Sequence, residues 1–306
     1  MSYSDEQVRF SVVIPTHNGR ESVVRAVRSV LEQSHRLLEV VVVCDGDDAR
    51  TRELLSPFHD PRLRIVEQPR TGVSAARNRG AAETTNPWLV FLDDDDCARP
   101  HWLEVLAAPA SEPVGLVTAR LALWQGDRPV EERDCRLSSD DRTMGASTIL
   151  PGGFAVRRDV FDGVGGFDEG LTYSENQDLG LRLLHSHEAP AELLVVHVPE
   201  VVVDFHREPA STRVRRYRSA PADSARVFLD RYPERLAGDA NTMASLLRII
   251  ARSERQEGRR LGSLSAALRA VRTQPTSWEN YRSVAASLLP LRTLRPTGPR
   301  PTAEAN

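Results

Sequence analysis

The sequence predicts an α/β protein with a mostly parallel central sheet, helices on both of its faces, and a helical extension at the C-terminal end. Three observations carry that expectation. From Phe10 to Thr118, short runs rich in β-branched residues alternate with segments of helical period, and such alternation builds a parallel sheet under crossover helices. Polar and acidic residues follow directly on the apolar runs, at the carboxyl ends of strands, where open α/β sheets gather their ligands. After about Pro209 the texture changes to Arg, Ala and Leu at helical spacing, through Leu289 and into a Pro-rich tail.

Taken in order, strands are expected at Phe10 to Ile14, Leu38 to Val43, Leu63 to Val66, Trp88 to Leu92 and Val114 to Thr118. Helices are expected between them at Glu21 to Gln33, Ala49 to Pro57, Val73 to Thr84 and His101 to Ala108. The stretch from Arg120 to Gly145 is polar and reads as an irregular flap or surface excursion. Further strands are expected at Gly153 to Val156, Leu193 to Val198 and Val201 to Phe205. A helix from Gln177 to His187 would pack through Leu179, Leu181, Leu183 and Leu184. A boundary near residue 210 separates two parts, 1–209 and 210–306.

Bulk properties exclude several functions. The formal net charge of -3 gives no concentrated positive surface for a phosphate backbone, so no nucleic-acid partner is expected. All 40 basic residues are arginine, which removes the P-loop and its lysine. Cys44, Cys97 and Cys135 form no CxxC pair and point to neither a disulfide framework nor a cysteine zinc site. Gly163-Val164-Gly165-Gly166 has the wrong spacing and position for a dinucleotide loop. The polar, acidic start around Ser4, Asp5 and Glu6 is unlike a signal peptide, and no run reaches the roughly 18 apolar residues of a bilayer span. A cytoplasmic protein is expected, with attachment at the inner membrane face left open.

Three strand ends carry candidate chemistry. The first reads Pro15-Thr16-His17-Asn18-Gly19, the second Cys44-Asp45-Gly46-Asp47-Asp48 and the fourth Asp93-Asp94-Asp95-Asp96. For the first two, a turn with a helix N-cap explains the residues as well as a ligand contact does. The acidic run is different. Four carboxylates at the mouth of the buried strand Trp88 to Leu92 would repel one another and raise their own pKa values unless a cation were present. A capping turn uses one carboxylate, not four. Mg²⁺ or Mn²⁺, which prefer oxygen ligands and retain contacts to substrate phosphates, would relieve the repulsion.

In order, Phe10 to Ile14 with Pro15-Thr16-His17-Asn18, then Asp45, then Gly72-Val73-Ser74-Ala75-Ala76-Arg77-Asn78-Arg79-Gly80, then Phe91-Leu92-Asp93-Asp94-Asp95-Asp96 resemble the successive signatures of family 2 glycosyltransferases. The resemblance covers about residues 8 to 207 and implies the GT-A fold, with a nucleotide-sugar half near 8–119 and an acceptor and metal half near 146–209. It implies that Pro15, His17 and Asn18 line the nucleoside pocket and that Asp45 hydrogen-bonds the base. His17 stands where the family often has tyrosine. Arg77 would lie near the pyrophosphate, although a helix-surface arginine is an equal alternative. Asp93 and Asp95 form the D-x-D element, with Asp95 the direct metal ligand, Asp93 nearer the ribose, and Asp94 and Asp96 in support. A divalent ion would stabilise the departing pyrophosphate without a lysine.

Gly165-Gly166-Phe167-Asp168-Glu169 and Ser174-Glu175-Asn176-Gln177-Asp178-Leu179 resemble the family segment that faces the acceptor. An inverting transferase needs a general base there, and the family places Glu-Asp with the Asp as base. Asn176 cannot take that proton. Three readings follow: Glu175 or Asp178 substitutes in a shifted geometry, the acceptor is a stronger nucleophile or configuration is retained, or activity has been lost. Helix capping by Glu175 and Asn176 is compatible with each. His206, after the last strand, is implied as a third protein ligand to the metal, while His185, His187 and His197 are read as structural.

The C-terminal arginines, among them Arg213, Arg215, Arg216, Arg218, Arg252, Arg255, Arg259 and Arg260, admit two readings. They line packed helices, against the catalytic domain or a second subunit, or they form a basic amphipathic surface for an anionic membrane. The packed reading is the stronger, since no clear aromatic anchor accompanies them. The expected activity is metal-assisted, inverting transfer from a nucleoside-diphosphate sugar, UDP-linked by resemblance, to a glycan, lipid-linked sugar, peptide or small molecule. A retaining transferase or a non-catalytic nucleotide-sugar-binding scaffold is the alternative.

Overall fold

The structure is a computed structural model that describes residues 7–111, 113–137, 147–185, 194–206 and 220–289. These form two compact units, one reaching Ser224 and one starting at Ala225. The boundary expected near 210, the residues Arg213 to Arg218, His187 and the Pro-rich tail lie outside the described residues.

In the first unit, β1 (Phe10–Thr16), α1 (Ser22–Leu31), β2 (Leu38–Asp45), α2 (Ala49–Leu55), β3 (Leu63–Gln68), α3 (Val73–Ala82) and β4 (Trp88–Phe91) alternate as the sequence pattern requires. There follow β5 (Cys97–Ala98), α4 (Trp102–Ala107), β6 (Val114–Gln125), β7 (Arg128–Asp134), β8 (Phe154–Arg157), α5 (Arg158–Gly163), α6 (Glu175–His185) and β9 (Leu194–His206). The sheet order is β3-β2-β1-β4-β8-β6-β9-β5, with β7 paired to β6. The first four strands are parallel. β8 runs antiparallel to both β4 and β6, and β6 and β9 are parallel again, so the second half of the sheet is mixed.

Period-two alternation sorts the strand residues onto two buried faces. Phe10, Val12, Ile14, Val40, Val42 and Val90 join Val23, Val27 and Val30 of α1 and Trp102, Leu103 and Leu106 of α4. Val13, Val41, Val43, Leu89 and Phe91 join Ala76 of α3, Phe161 of α5 and Leu179 and Leu183 of α6. A Cβ on Gly80 would come 2.2 Å from Cγ1 of Val13, so α3 lies directly on β1. That contact seats the N-terminal turns of α3 beside the end of β4.

Three expectations change. The stretch from Arg120, expected to be irregular, continues β6 to Gln125 and returns as β7 through Asp134. β7 has exposed side chains on both faces, so its sequence is polar; the turn at Gly126 (φ 61°) and the pairs of Arg120 with Glu132 at 2.7 Å and Asp134 at 2.8 Å hold the hairpin. The part of this stretch from 138 to 146 lies outside the described residues. The two strands expected at Leu193 to Val198 and Val201 to Phe205 are one strand, β9. Its register against β6 shifts between Thr118 and Arg120, opposite Pro199, because proline has no N–H to give to a ladder. Helix α5 was not anticipated; its six residues are too few to display a period.

The second unit begins inside α7 (Ala220–Arg231) and continues with α8 (Pro233–Ala237), α9 (Ala240–Gln256), α10 (Arg260–Thr273) and α11 (Trp278–Leu288). Asp239 caps α9 by accepting from the Thr242 N–H at 2.9 Å. No helix among the described residues is long and apolar enough to cross a membrane.

Candidate active site

β4 delivers the acidic run into a tight turn. The Leu92 N–H bonds to the Val13 carbonyl at 3.0 Å, and the Asp96 N–H turns back to the Asp93 carbonyl at 3.1 Å. The turn directs carboxylate oxygens of Asp93, Asp95 and Asp96 to within 4.8 Å of one another. Asp94 points elsewhere, accepting from the Thr16 hydroxyl at 2.7 Å. Arg20, just after the first strand-end motif, donates to Asp95 at 3.1 Å and lies 3.8 Å from Asp94.

Burial and mutual repulsion raise the carboxyl pKa values as expected for a crowded acidic turn. Burial and then the charge of Asp93 push Asp95 up to about 7. Burial also lifts Asp94, and it lifts Asp96 well above the carboxylate range, again with Asp93 adding to it. Asp96 is fully buried; its Oδ1 accepts from the His206 backbone N–H at 2.8 Å, and its Oδ2 has no hydrogen-bond partner. Three hard oxygen donors, one of them buried and unsatisfied, fit a divalent cation such as Mg²⁺ or Mn²⁺.

His206 enters the site through its backbone. Its ring Nδ1 lies 3.1 Å from the Asp204 carbonyl, and the ring stacks on Trp124 at 6.1 Å. Among the described residues, the side chains close enough to share a cation are Asp93, Asp95 and Asp96, so the residue that the sequence assigned to support joins them and His206 is not among them, meeting Asp96 through its backbone N–H.

Arg77 is 2% exposed and sits on α3 facing this turn. It donates through Nη2 to Asp93 at 2.7 Å and through Nη1 to Glu175 at 3.0 Å, with Asn176 Oδ1 at 3.4 Å. Its guanidinium carbon lies 5.1 Å from the centre of the Phe167 ring. Burial disfavours its charge, but Asp93 and Glu175 more than offset that and raise its pKa. The helix-surface alternative for Arg77 is therefore overturned by its burial.

Glu175 opens α6 after Ser174, a non-glycine residue with φ 63°. The Asn176 amide donates to Glu175 at 3.1 Å. Asp178 is buried and paired with Arg182 at 2.8 Å. The preceding loop is clamped by Asn78, which donates to the Phe167 carbonyl at 2.9 Å and accepts from the Phe167 N–H at 2.8 Å.

At the first two strand ends, Pro15 is buried within β1 opposite Val43, and Thr16 ends the strand. Asp45 accepts from the N–H groups of Thr71 at 2.8 Å and Gly72 at 3.0 Å and from the Gln68 amide at 2.9 Å. It thereby fixes the loop that enters α3. His17 Nδ1 lies 2.9 Å from the Asp45 carbonyl, while its buried Nε2 has no partner among the described residues. Asn18 is exposed with φ 66°, and the next N–H, of Gly19, bonds to Asp48 at 2.8 Å.

Sequence reasoning missed Thr16 and Arg20, both in or beside a motif it had singled out. It also missed Trp124, which donates to Asp204 at 3.0 Å from within the stretch taken as irregular.

Comparison with known proteins bears on the family and the fold. The glycosyl transferase family 2 model matches residues 11–165. A pre-mycofactocin glycosyltransferase of Mycobacterium tuberculosis is 30% identical over 296 residues, covering 90% of this chain and 60% of that protein. A glucosyl-dolichyl phosphate glucuronosyltransferase of Haloferax volcanii is 28% identical over 199 residues, 60% of this chain and 62% of that one. The chain thus spans about three fifths of the length of the first of these relatives. Staphylococcus aureus TarS 1-349, solved also in complex with UDP, superposes with a TM-score of 0.60 at 17% identity, over 90% of this chain and 91% of that one. That likeness bears on the fold.

Proposed function

The chain belongs to glycosyl transferase family 2 and has an α/β sheet of the GT-A type, and from that premise we propose that it moves a sugar from a nucleoside-diphosphate sugar to an acceptor hydroxyl. The observation that carries the proposal is the cluster Asp93, Asp95 and Asp96 at the end of β4, with the buried, unpartnered Asp96 Oδ2. Those three carboxylates would hold Mn²⁺ or Mg²⁺, which supplies charge stabilisation for the pyrophosphate as it leaves. UDP is the proposed nucleotide, supported by the neighbour solved with UDP and with UDP-GlcNAc.

The residues of this chain divide the remaining work. His17, Asn18 and the backbone near Asp45 would hold the nucleoside, with the unpartnered His17 Nε2 available to it. Asp93 would sit on the ribose side, oriented by Arg77. Glu175, at the open end of α6, is the proposed base: its carboxylate would take the acceptor proton as the hydroxyl attacks the anomeric carbon with inversion. Asp178, buried and paired with Arg182 one turn on in α6, would help to hold the helix through the Arg182 bond to the Val164 carbonyl. His206 would complete the metal site by fixing Asp96 through its N–H.

One observation favours a second reading. The Glu175 carboxylate is already engaged by the Arg77 guanidinium at 3.0 Å, and Asn176 offers no substitute, which suits a nucleotide-sugar-binding protein without turnover or a retaining transferase. Calorimetry with UDP, GDP and dTDP plus Mn²⁺ tests the donor site. Binding of UDP that requires metal and vanishes in Asp95→Ala is expected; no binding by any of the three refutes the site. Donor turnover lost in Glu175→Gln with UDP binding intact supports the enzyme, and binding without turnover by the native chain supports the second reading.

A further inference from the structure

Helix α11 is built with its polar side inward. Trp278, Tyr281, Ala285 and Leu288 recur at i, i+3, i+7 and i+10 and so share one face. That face is open: Trp278 is 65% exposed, Tyr281 52% and Leu288 64%. The opposite side buries Asn280 and Ser287. Asn280 accepts from Arg248 at 2.7 Å and donates to the carbonyls of Ala270 at 3.0 Å and Gln274 at 2.8 Å. Ser287 shares a hydrogen bond with the buried Ser263 at 2.7 Å. A surface helix in water shows the reverse arrangement, and an outward face of indole, phenol and leucine marks a surface that meets something other than water.

We propose that this face docks onto an anionic lipid surface. Charge selects that occupant. Residues 225–306 contain fourteen arginines against seven acidic residues, although the whole chain is formally -3. From Gly258 to Leu289 there are five arginines and a single acidic residue, Glu279, which is paired with Arg248 at 3.2 Å. The Arg282 guanidinium lies 4.7 Å from the centre of the Trp278 ring, so cation and indole occupy the same depth. Such a pair suits the headgroup boundary, where the ring enters the apolar layer and the guanidinium meets phosphate. A second copy of the chain would bring the same arginines against these, at an electrostatic cost. At 11 residues α11 is about 16 Å long, enough to lie along a bilayer and too short to span it. The expectation that the basic helices lack an aromatic anchor changes here, because exposure identifies Trp278 and Tyr281 as one. The proposal is independent of the sugar chemistry, and its test does not use turnover.

Vesicle flotation of the full chain decides it. Binding to phosphatidylglycerol-containing vesicles and not to neutral phosphatidylcholine vesicles is expected, weakened as salt rises to about 0.5 M. Trp278→Ser with Tyr281→Ser should lower partitioning at least about tenfold without changing the melting temperature. Arg272→Glu with Arg282→Glu should do the same by a separate route. Absence of binding to the anionic vesicles, or binding by both double variants as strong as that of the native chain, overturns the proposal. A dimer in sedimentation equilibrium that the serine variant dissociates, with no vesicle binding, assigns the face to a second copy instead.

Discussion

Arg77 joins Asp93 to Glu175: one buried guanidinium donates at 2.7 Å to the first and at 3.0 Å to the second. The two carboxylates are 82 positions apart in sequence, on β4's acidic turn and on α6. Everything that positions Arg77 therefore sets the distance between the proposed donor side and the proposed base.

Removal of that guanidinium has a predictable cost. Arg77→Met leaves two facing carboxylates without their shared cation, and both are largely shielded from water. Destabilisation by about 3 kcal/mol is expected, at the low end for a broken buried pair because Asp93 retains some exposure. Arg77→Lys keeps the charge but cannot fork to both partners, so stability should recover partly and turnover should not. Urea unfolding of the three proteins, alongside donor turnover, checks both statements.

The pKa of Asp95, raised to about 7 by burial and by Asp93, sets a pH dependence. An ordinary carboxyl titrates near 4 in the unfolded chain. Between about pH 4 and pH 7 the folded chain holds a proton that the unfolded chain has released. Without metal, stability should therefore fall as pH rises through that window and level off above it. A cation must displace the proton, so Mn²⁺ affinity should weaken roughly tenfold for each pH unit below about 7. Thermal melts with and without Mn²⁺ at about pH 5.5 and 7.5 read both effects, and a metal-induced gain that is larger at the lower pH would contradict them.

Gly80 tests the packing that seats α3. Alanine favours a helix interior by about 1 kcal/mol over glycine, so propensity alone predicts a more stable protein. A Cβ would stand 2.2 Å from Val13 Cγ1 in the central strand β1, a contact that requires the helix to move. Overpacking of this kind costs about 1–3 kcal/mol. Gly80→Ala is expected to lower the melting temperature, and because Arg77 lies one turn earlier on the same helix, it should also weaken metal-dependent UDP binding.

What was legible in the sequence divides along physical lines. The alternating part through β4 could be read because both sheet faces are buried, so Val40 to Val43 and Trp88 to Phe91 are apolar without interruption. The β6–β7 hairpin could not, since β7 is exposed on both faces and its charged residues resemble a loop. The acidic run could be singled out because adjacent like charges are costly anywhere. The role of Arg77 was hidden because its partner Glu175 comes from a distant helix, and burial of an arginine leaves no trace in local sequence. Asp178 looked as available as Glu175 because its pairing with Arg182 one turn on is local, whereas its complete burial comes from tertiary packing.

That last distinction yields a separation of stability from chemistry. Asp178 is fully buried, and its carboxylate holds Arg182, which also donates to the Val164 carbonyl. Asp178→Asn leaves a partly buried guanidinium without its counter-charge and should cost about 3 kcal/mol, the low end for a broken buried pair, with residual turnover proportional to the folded fraction. Glu175 is less deeply placed and belongs to the Arg77 group. Glu175→Gln keeps its size and can still accept a hydrogen bond from Arg77, so its melting temperature should change little while turnover falls by about 10²–10⁴-fold, the range for a lost general base. Chemical denaturation and single-turnover kinetics on both variants give the two axes. If Asp178→Asn is instead stable and inactive while Glu175→Gln is active, the proton acceptor is Asp178 and α6 must move to expose it.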